Sequence, residues 1–172
     1  MKKLLAMLLI GGSVSAFAGN AYIDADVGVN TSWSELGLGV DAGYMFNKYV
    51  GLEGGFTYSP GSSYNYGWGS YSSNYYMLDG AVKGVLPLTE QFSLFGKLGI
   101  AFNNYTTTYT CNNGNPGCGN GWDGSWTGSN TGVLFGGGAQ FNLSRQWSLH
   151  VEDYTSTGDN PNFFMFGGQY NF

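Results

Sequence analysis

The stretch from Asn162 to Phe172, NFFMFGGQYNF, says most about the fold of this chain. Alternate residues of a β-strand point to opposite faces. One face of this stretch is therefore mainly aromatic: Phe164, Phe166, Gly168, Tyr170 and Phe172. An exposed aromatic face is unusual at the end of a soluble protein. In the closing strand of a membrane barrel, such a face points toward lipid. The stretch predicts the last strand of a transmembrane barrel.

The same alternation recurs along the rest of the chain. Apolar residues fall on one face and charged residues on the other, with Asp153, on the apolar face, as the exception. The eight predicted strands are 21–30, 35–46, 49–59, 75–86, 92–103, 132–143, 147–157 and 162–172. An even number of strands of about ten residues is typical of outer-membrane barrels. The sequence therefore predicts an all-β protein, an eight-stranded antiparallel up-and-down transmembrane β-barrel.

The lengths of the connections between these strands alternate as well. Segments 47–48, 87–91 and 144–146 are short, whereas 60–74 and 105–131 are long. In outer-membrane barrels the short turns face the periplasm and the longer loops face outward. We therefore expect the two long segments to be extracellular loops.

Composition narrows the class of protein further. Only 10% of the residues are charged and 17% are aromatic. A soluble lipocalin-like barrel with an apolar ligand is the alternative fold. Its charged residues would lie outside and make up about 25% of its surface, so the low charge content of this chain argues against it. The net charge is −5, or −7 without Lys2 and Lys3. Nucleic acid is therefore not an expected partner, because phosphate binding needs basic patches.

The N-terminus has the pattern of an export signal. Two lysines precede the apolar run 4–10, and the tripeptide 16–18 has the A-x-A form of a signal peptidase site. A transmembrane helix is the alternative, but it needs roughly 20 apolar residues, and the segment 11–13 interrupts this run. We expect a signal peptide at residues 1–18 and an outer-membrane β-barrel at residues 19–172.

Two parts of the chain resemble a known family. The segment 132–172, which begins GVLFGGGAQF and ends GGQYNF, is similar to the last three strands of the OmpA-type transmembrane domain. The segment 49–58, YVGLEGGFTY, is similar to the third strand of that domain. Gly167, Tyr170 and Phe172 resemble the C-terminal signal of outer-membrane proteins. The resemblance implies a small OmpA-type or OmpX-like barrel of Gram-negative bacteria. We expect the transmembrane domain only, without the peptidoglycan-binding domain of full OmpA proteins.

The predicted inward face is rich in charge, although an eight-stranded barrel has room for little more than its side chains. Its polar residues are Asp24, Asp26, Asp41, Glu53, Asp79, Lys83, Lys97, His150 and Glu152. Charges in such an interior must be paired or hydrated. The family resemblance implies that four of them form a plug of salt bridges: Glu53, Lys83, Lys97 and Glu152. His150 stands where the family tends to have an arginine, and a proton or cation path is the alternative.

Ser148, His150 and Glu152 share this face and have the composition of an acyl-transfer triad. Some small barrels modify lipid A with such groups, but their active residues lie at the lipid-facing outer rim. Neighbours on one face of a strand are about 7 Å apart, which is beyond the hydrogen-bond reach of a nucleophile and its base. We therefore expect no enzyme, no cofactor and no metal.

The narrow barrel and its long loops predict a structural or surface-interaction role carried by the extracellular loops, and the resemblance, to a barrel that adhesins share, makes that role adhesin-like. A narrow porin-like channel for ions or small solutes is the alternative, and a lipid A-modifying enzyme comes third. The expected partners are outer-membrane lipid and lipopolysaccharide, the barrel-assembly machinery during biogenesis, and a ligand at the loops.

Cys111 and Cys118 lie in the longer predicted loop, and two cysteines alone cannot complete a four-ligand zinc site. We predict a disulfide between them, because export passes through the oxidising periplasm. In the chain-entropy model so small a ring contributes about 2 to 3 kcal/mol. Mass spectrometry without reductant should find the loop peptide lighter by two hydrogens. Two thiols that react with iodoacetamide in the unreduced protein would contradict the prediction.

Overall fold

The computed structural model describes residues 21–66, 69–111 and 124–172. It is a closed barrel of eight strands, each antiparallel to the next, and this confirms the predicted fold. The strands are β1 (Ala21–Asn30), β2 (Glu35–Met45), β3 (Val50–Tyr66), β4 (Gly69–Pro87), β5 (Phe92–Cys111), β6 (Gly124–Asn142), β7 (Trp147–Ser156) and β8 (Asn162–Asn171). The predicted signal peptide lies outside the described residues. No helix in the described ranges is long and apolar enough to cross a membrane.

Pairing between β1 and β8 closes the barrel. The ladder runs from Tyr22 opposite Asn171 to Asn30 opposite Phe163. The Phe172 N–H extends it by donating to the Ala21 carbonyl at 3.0 Å. In lipid each unpaired backbone group costs several kcal/mol, so a sheet that crosses a membrane must have no free edge. The C-terminal stretch is therefore the strand that completes the barrel.

The outward face of the barrel is apolar, and the inward face is buried. Leu98 and Ile100 point outward and are 63% and 53% exposed, whereas the inward Lys97 and Ala101 are 8% and 0% exposed. This alternation turns apolar side chains toward lipid and charged ones into the lumen, as the sequence predicts. Asp153 does point outward, and it lies near the end of β7, away from the short turns.

The four central strands are longer than the sequence predicts. β3 to β6 extend through much of the segments 60–74 and 105–131. Tyr71 lies opposite Tyr109, and Thr107 lies opposite Trp126. The expectation of loops is wrong for the described parts of segments 60–74 and 105–131, which we call the long hairpins. The end of the barrel that carries them is the hairpin end. The opposite end, which carries the connections 46–49, 88–91 and 143–146, is the turn end.

The physical reason is that pairing continues where the apolar face stops. Thr, Tyr and Trp favour strands and stabilise them through cross-strand pairs, such as the hydroxyls of Thr106 and Thr127, 3.4 Å apart. A strand beyond the membrane no longer needs an apolar face, so alternation of hydropathy ends before the ladder does. The ladder is interrupted between Pro60 and Ser63, where proline has no N–H to donate.

The three turns at the turn end share one hydrogen-bond pattern. In each, a side-chain oxygen accepts the backbone N–H groups two and three residues further on, as in Asx and ST turns. Asn47 Oδ1 accepts at 2.8 and 3.0 Å, Thr89 Oγ1 at 3.2 and 2.9 Å, and Ser144 Oγ at 3.2 and 3.0 Å. These local bonds let short connections reverse the chain without help from the rest of the protein.

We expect the hairpin end to face the outside of the cell. A recognition site for a sequence-specific protease, inserted between Gly119 and Asn120, should be cut when the protease is added to intact cells. The matched control carries the same site in the turn 144–146 and should be cut only after the cells are permeabilised. Cleavage of the control alone in intact cells would invert the topology.

Candidate functional site

The centre of the lumen is crossed by a chain of ion pairs. Glu53 on β3 accepts from Lys83 Nζ on β4 at 2.7 Å and contacts Lys97 Nζ on β5 at 2.5 Å. Lys97 Nζ also lies 2.7 Å from Glu152 Oε2 on β7. Because β3 and β7 are four strands apart in a closed barrel of eight, this chain joins opposite walls of the lumen. The structure thus brings together the four residues that the family resemblance singled out.

Aromatic side chains enclose these ion pairs. The Tyr22 hydroxyl donates to Glu53 Oε2 at 2.6 Å. Lys83 Nζ lies 4.7 Å from the ring centroids of Tyr22 and Phe95, and Lys97 Nζ lies 5.7 Å from that of Tyr154. Cations are attracted to the faces of aromatic rings, most strongly where water is excluded. The charged groups therefore have favourable contacts on several sides, as buried ion pairs require.

Above the ion pairs, toward the hairpin end, the lumen is filled by an apolar layer that sequence reasoning missed. Its largest side chains are Tyr75, Met77, Leu134, Tyr154, Phe163 and Met165. Phe163 stacks on Tyr154 with ring centroids 5.4 Å apart, and Met77 and Leu134 are 0% and 1% exposed. The inward parity of these apolar residues in the sequence could have predicted the layer. The lumen is thus filled at two levels.

A second polar contact joins β7 to β1 across β8. His150 Nε2 lies 2.7 Å from Asp26 Oδ1, and both side chains are buried. Both residues are register partners of Gly167, which lies between them. A Cβ atom at Gly167 would overlap Asp26 Oδ1 and lie 2.7 Å from the His150 ring. Gly167, predicted as part of the C-terminal signal, therefore also makes room for this contact.

Three further lumen carboxylates are Asp24, Asp41 and Asp79. Asp24 and Asp41 are 4% and 8% exposed and lie directly opposite each other in the β1–β2 ladder. Within the described ranges, none of the three has a basic group within 4.0 Å. Asp79, expected in the polar network, thus lies in the lumen but outside its ion pairs.

The geometry gives no relay among Ser148, His150 and Glu152. The Ser148 hydroxyl donates to Asn142 Oδ1 at 2.9 Å, while His150 contacts Asp26 and Glu152 contacts Lys97. A triad requires the base to contact the nucleophile and the acid to orient the base. In this arrangement each side chain has a different partner.

The hairpin end holds a cavity of about 640 Å3. Connections as well as strands form it: Trp33 follows β1, Asp159 follows β7, and Tyr75, Tyr105 and Trp126 come from β4, β5 and β6. The rings of Trp33 and Tyr75 meet edge to face at 5.3 Å, and Trp126 is 72% exposed. Sequence reasoning missed this cavity, because its walls are distant in the chain.

The predicted disulfide falls partly on residues that the structure does not describe. Cys111 ends β5, opposite Gly69 on β4. Cys118 lies outside the described residues. The bond between them therefore stays a prediction.

The ion-pair chain predicts an asymmetry between the two lysines. Lys97→Met should destabilise the folded barrel by about 3 to 5 kcal/mol, because it leaves a buried Glu152 unpaired. Lys83→Met should destabilise it less, since Glu53 keeps Lys97. Urea unfolding of the refolded protein in lipid vesicles measures both effects.

The matched control is Lys48→Met, because Lys48 is exposed in a turn and its loss should change stability by less than about 0.5 kcal/mol. Equal, near-zero effects of all three substitutions would mean that the lumen is open and hydrated.

Comparison with known proteins agrees with this architecture. A family model, the outer membrane protein beta-barrel domain, matches residues 4–172. Comparison with the curated proteins found no match. Solved structures below 25% identity share the fold.

Ail, the attachment invasion locus protein of Yersinia pestis, is 19% identical with a TM-score of 0.59, over 90% of this chain and 99% of that one. The N-terminal β-barrel domain of Pseudomonas aeruginosa OprF is 14% identical with a TM-score of 0.61, over 90% and 98%. A major outer membrane protein from Thermus thermophilus is 13% identical with a TM-score of 0.64, over 89% and 98%.

The barrel is closed, its outer surface is apolar and its charges lie in the lumen, as in transmembrane β-barrels. The family model spans nearly the whole sequence. The protein is located in the outer membrane, and the chain belongs to the outer-membrane protein β-barrel family as a small OmpA-like barrel.

Proposed function

We propose that this protein is a closed membrane-embedded platform whose long hairpins bind a ligand at the cell surface, in a structural and adhesin-like role. The observation that carries the proposal is the contrast between the two parts of the molecule. The lumen is filled by ion pairs and an apolar layer, whereas the hairpin end holds an aromatic cavity of about 640 Å3. Specific binding is therefore better served by the hairpins than by the lumen.

The composition of the long hairpins supports a binding surface. Segments 60–74 and 105–131 consist largely of Tyr, Trp, Ser, Thr, Asn and Gly. Antibody binding loops favour a similar set, because Tyr and Trp supply large contact areas at low entropic cost while Ser, Asn and Gly supply adaptable polar contacts. The extended β-ladders hold these side chains on a rigid frame.

Charge indicates which ligands fit. Ail has been solved in complex with the heparin analogue sucrose octasulfate. The present chain has no lysine or arginine in segments 60–74 and 105–131, and the carboxylates of Glu35 and Asp159 line its cavity. A polyanion would be repelled here, so we propose a neutral or cationic surface ligand that stacks on aromatic rings.

Aromatic contacts at the turn end support the proposed lipid partners. Trp147 and Tyr170 have ring centroids 5.0 Å apart, and Tyr170 and Phe172 are 5.4 Å apart. Aromatic belts of this kind anchor barrels at the membrane interface. We further propose that outer-membrane lipid and lipopolysaccharide surround the barrel and that the assembly machinery reads Gly167, Tyr170 and Phe172.

A narrow channel is the second candidate function. It is favoured by a cavity of about 980 Å3 at the turn end, which reaches Tyr22 and Lys83 in the lumen. Passage would require the ion pairs of Lys97 to break, since these join opposite walls. We give the platform precedence for this reason, and we propose no enzymatic role.

Shortening the second long hairpin tests the platform. Replacing residues 107–126 with Asn-Gly keeps Thr106 opposite Thr127 and supplies a two-residue type I′ turn. The variant should fold and insert like the wild type, because the membrane-spanning ladders are intact. Bacteria that display the wild type should adhere to a panel of immobilised neutral and amine-bearing glycans, and the variant should lose this adhesion.

Trp126→Ala should weaken the same adhesion, whereas the matched control Trp147→Ala, at the turn end, should leave it unchanged. Wild-type binding to no member of the panel, or binding to heparin alone, would contradict the proposal. A large steady planar-bilayer conductance that survives hairpin replacement would favour the channel.

A further inference from the structure

Three aspartates from β1 and β2 meet in the lumen at one point. Asp24 lies directly opposite Asp41 in the ladder, and Asp26 is two residues further along the same face of β1. They are 4%, 7% and 8% exposed, in the order Asp24, Asp26 and Asp41. One carboxylate oxygen from each lies within 4.8 Å of the other two. Convergence of this kind is uncommon for three acids, because buried like charges repel.

The basic groups of the lumen do not compensate this cluster. Lys83 and Lys97 form ion pairs with Glu53 and Glu152 instead. Among the described residues, the cluster has one basic contact, from His150 to Asp26 Oδ1. Burying a carboxylate without a compensating charge is strongly unfavourable, so the cluster calls for an added positive charge.

Individual oxygen atoms in the cluster lack a donor as well. Asp24 Oδ1 and Asp26 Oδ2 have no hydrogen-bond partner within the described part of the chain, although both residues are more than nine-tenths buried. Gln169 Oε1 also has no hydrogen-bond partner within the described part of the chain. The residue Gln169 lies opposite Asp24 in the β1–β8 ladder. A buried oxygen that receives no donor from the protein is expected to have a partner of another kind, a water or an ion.

Two glycines leave the space that the carboxylates occupy. A Cβ atom at Gly39 would lie 3.1 Å from Asp26 Cβ and 3.4 Å from its Oδ2. A Cβ atom at Gly55 would overlap Asp41 Oδ1 and lie 2.8 Å from Asp79 Oδ2. The second contact also shows that Asp79 extends the cluster toward β4.

The geometry points to calcium as the missing charge. Calcium binds oxygen ligands at about 2.3 to 2.6 Å, so two ligands on opposite sides of one ion are up to about 5 Å apart. The three carboxylate oxygens lie within 4.8 Å of one another, which is inside this span. Magnesium dehydrates reluctantly and usually keeps several waters, so it suits a site enclosed by three buried carboxylates less well. Zinc prefers nitrogen and sulfur ligands, whereas Asp24, Asp26 and Asp41 offer only carboxylate oxygens.

We propose that Asp24, Asp26 and Asp41 bind one Ca²⁺ in the lumen, with Gln169 Oε1 as a further ligand. The ion would enter from the turn end, where the cavity of about 980 Å3 reaches Tyr22 and Gln169. It would tie β2 to β1, beside the β1–β8 pairing that closes the barrel. The inference concerns the lumen and does not depend on ligand binding by the hairpins.

Calcium binding to the refolded barrel in a zwitterionic detergent tests the proposal. Isothermal titration calorimetry should give one Ca²⁺ per chain, and Asp24→Asn and Asp41→Asn should each weaken binding by about tenfold or more, because Ca²⁺ affinity depends on ligand charge. The matched control is Asp153→Asn, which removes a carboxylate from the outward face of β7 and should leave affinity unchanged.

Thermal unfolding provides a readout that a merely structural role would not produce. At a Ca²⁺ concentration a hundredfold above Kd, the wild-type midpoint should rise by roughly 5 to 10 °C relative to EDTA. In EDTA, Asp24→Asn and Asp41→Asn should be at least as stable as the wild type, because they remove repulsion, and Ca²⁺ should no longer stabilise them.

Three outcomes would overturn the proposal. The first is a wild-type midpoint that Ca²⁺ does not shift, which would leave protons as the compensating charge. The second is an equal Ca²⁺ response in wild type and both variants, which would place binding elsewhere. The third is a loss of stability in both variants that is the same with and without Ca²⁺.

Discussion

The rest of the structure depends on one constraint, the hydrogen bonding of the backbone where water is absent. Lipid offers no partner for a free N–H or C=O, so every spanning strand needs two neighbours. The ladder between β1 and β8 supplies the last pair and removes the only edges that the sheet would otherwise have. Closure with eight strands then fixes the width of the lumen. From that width follows the crowding of charges inside.

A narrow lumen explains why its charges are organised as they are. Side chains from opposite walls can meet, and Lys97 joins Glu53 on β3 to Glu152 on β7. Such an arrangement need not add net stability over an apolar filling, but loss of one member leaves a buried charge without a partner. The apolar layer around Phe163 and Met77 adds a second closure above it. Within the described part of the chain, these contacts leave the acids near β1 uncompensated.

The hairpin end is governed by different physics, because strands there pair without contacting lipid. Released from the need for an apolar face, β5 and β6 continue as ladders of Thr, Tyr, Trp and Ser. Their walls and the connections around Trp33 and Asp159 form the aromatic cavity. A rigid frame with adaptable side chains reduces the entropic cost of binding. The division between a filled lumen and an adaptable rim is therefore a consequence of where each part of a strand lies.

Sequence alone determined the number of strands, the face that each residue occupies and the closing role of 162–172, because alternation with period two records which side meets lipid. It also identified the lumen charges, although the pairing of Glu53, Lys83, Lys97 and Glu152 came from family resemblance. Tertiary structure alone decided the length of the long hairpins, since their pairing has no apolar signature. It likewise decided that Gly167 admits the contact of His150 with Asp26, and that three aspartates converge. These depend on register and barrel closure, which bring together residues far apart in the chain.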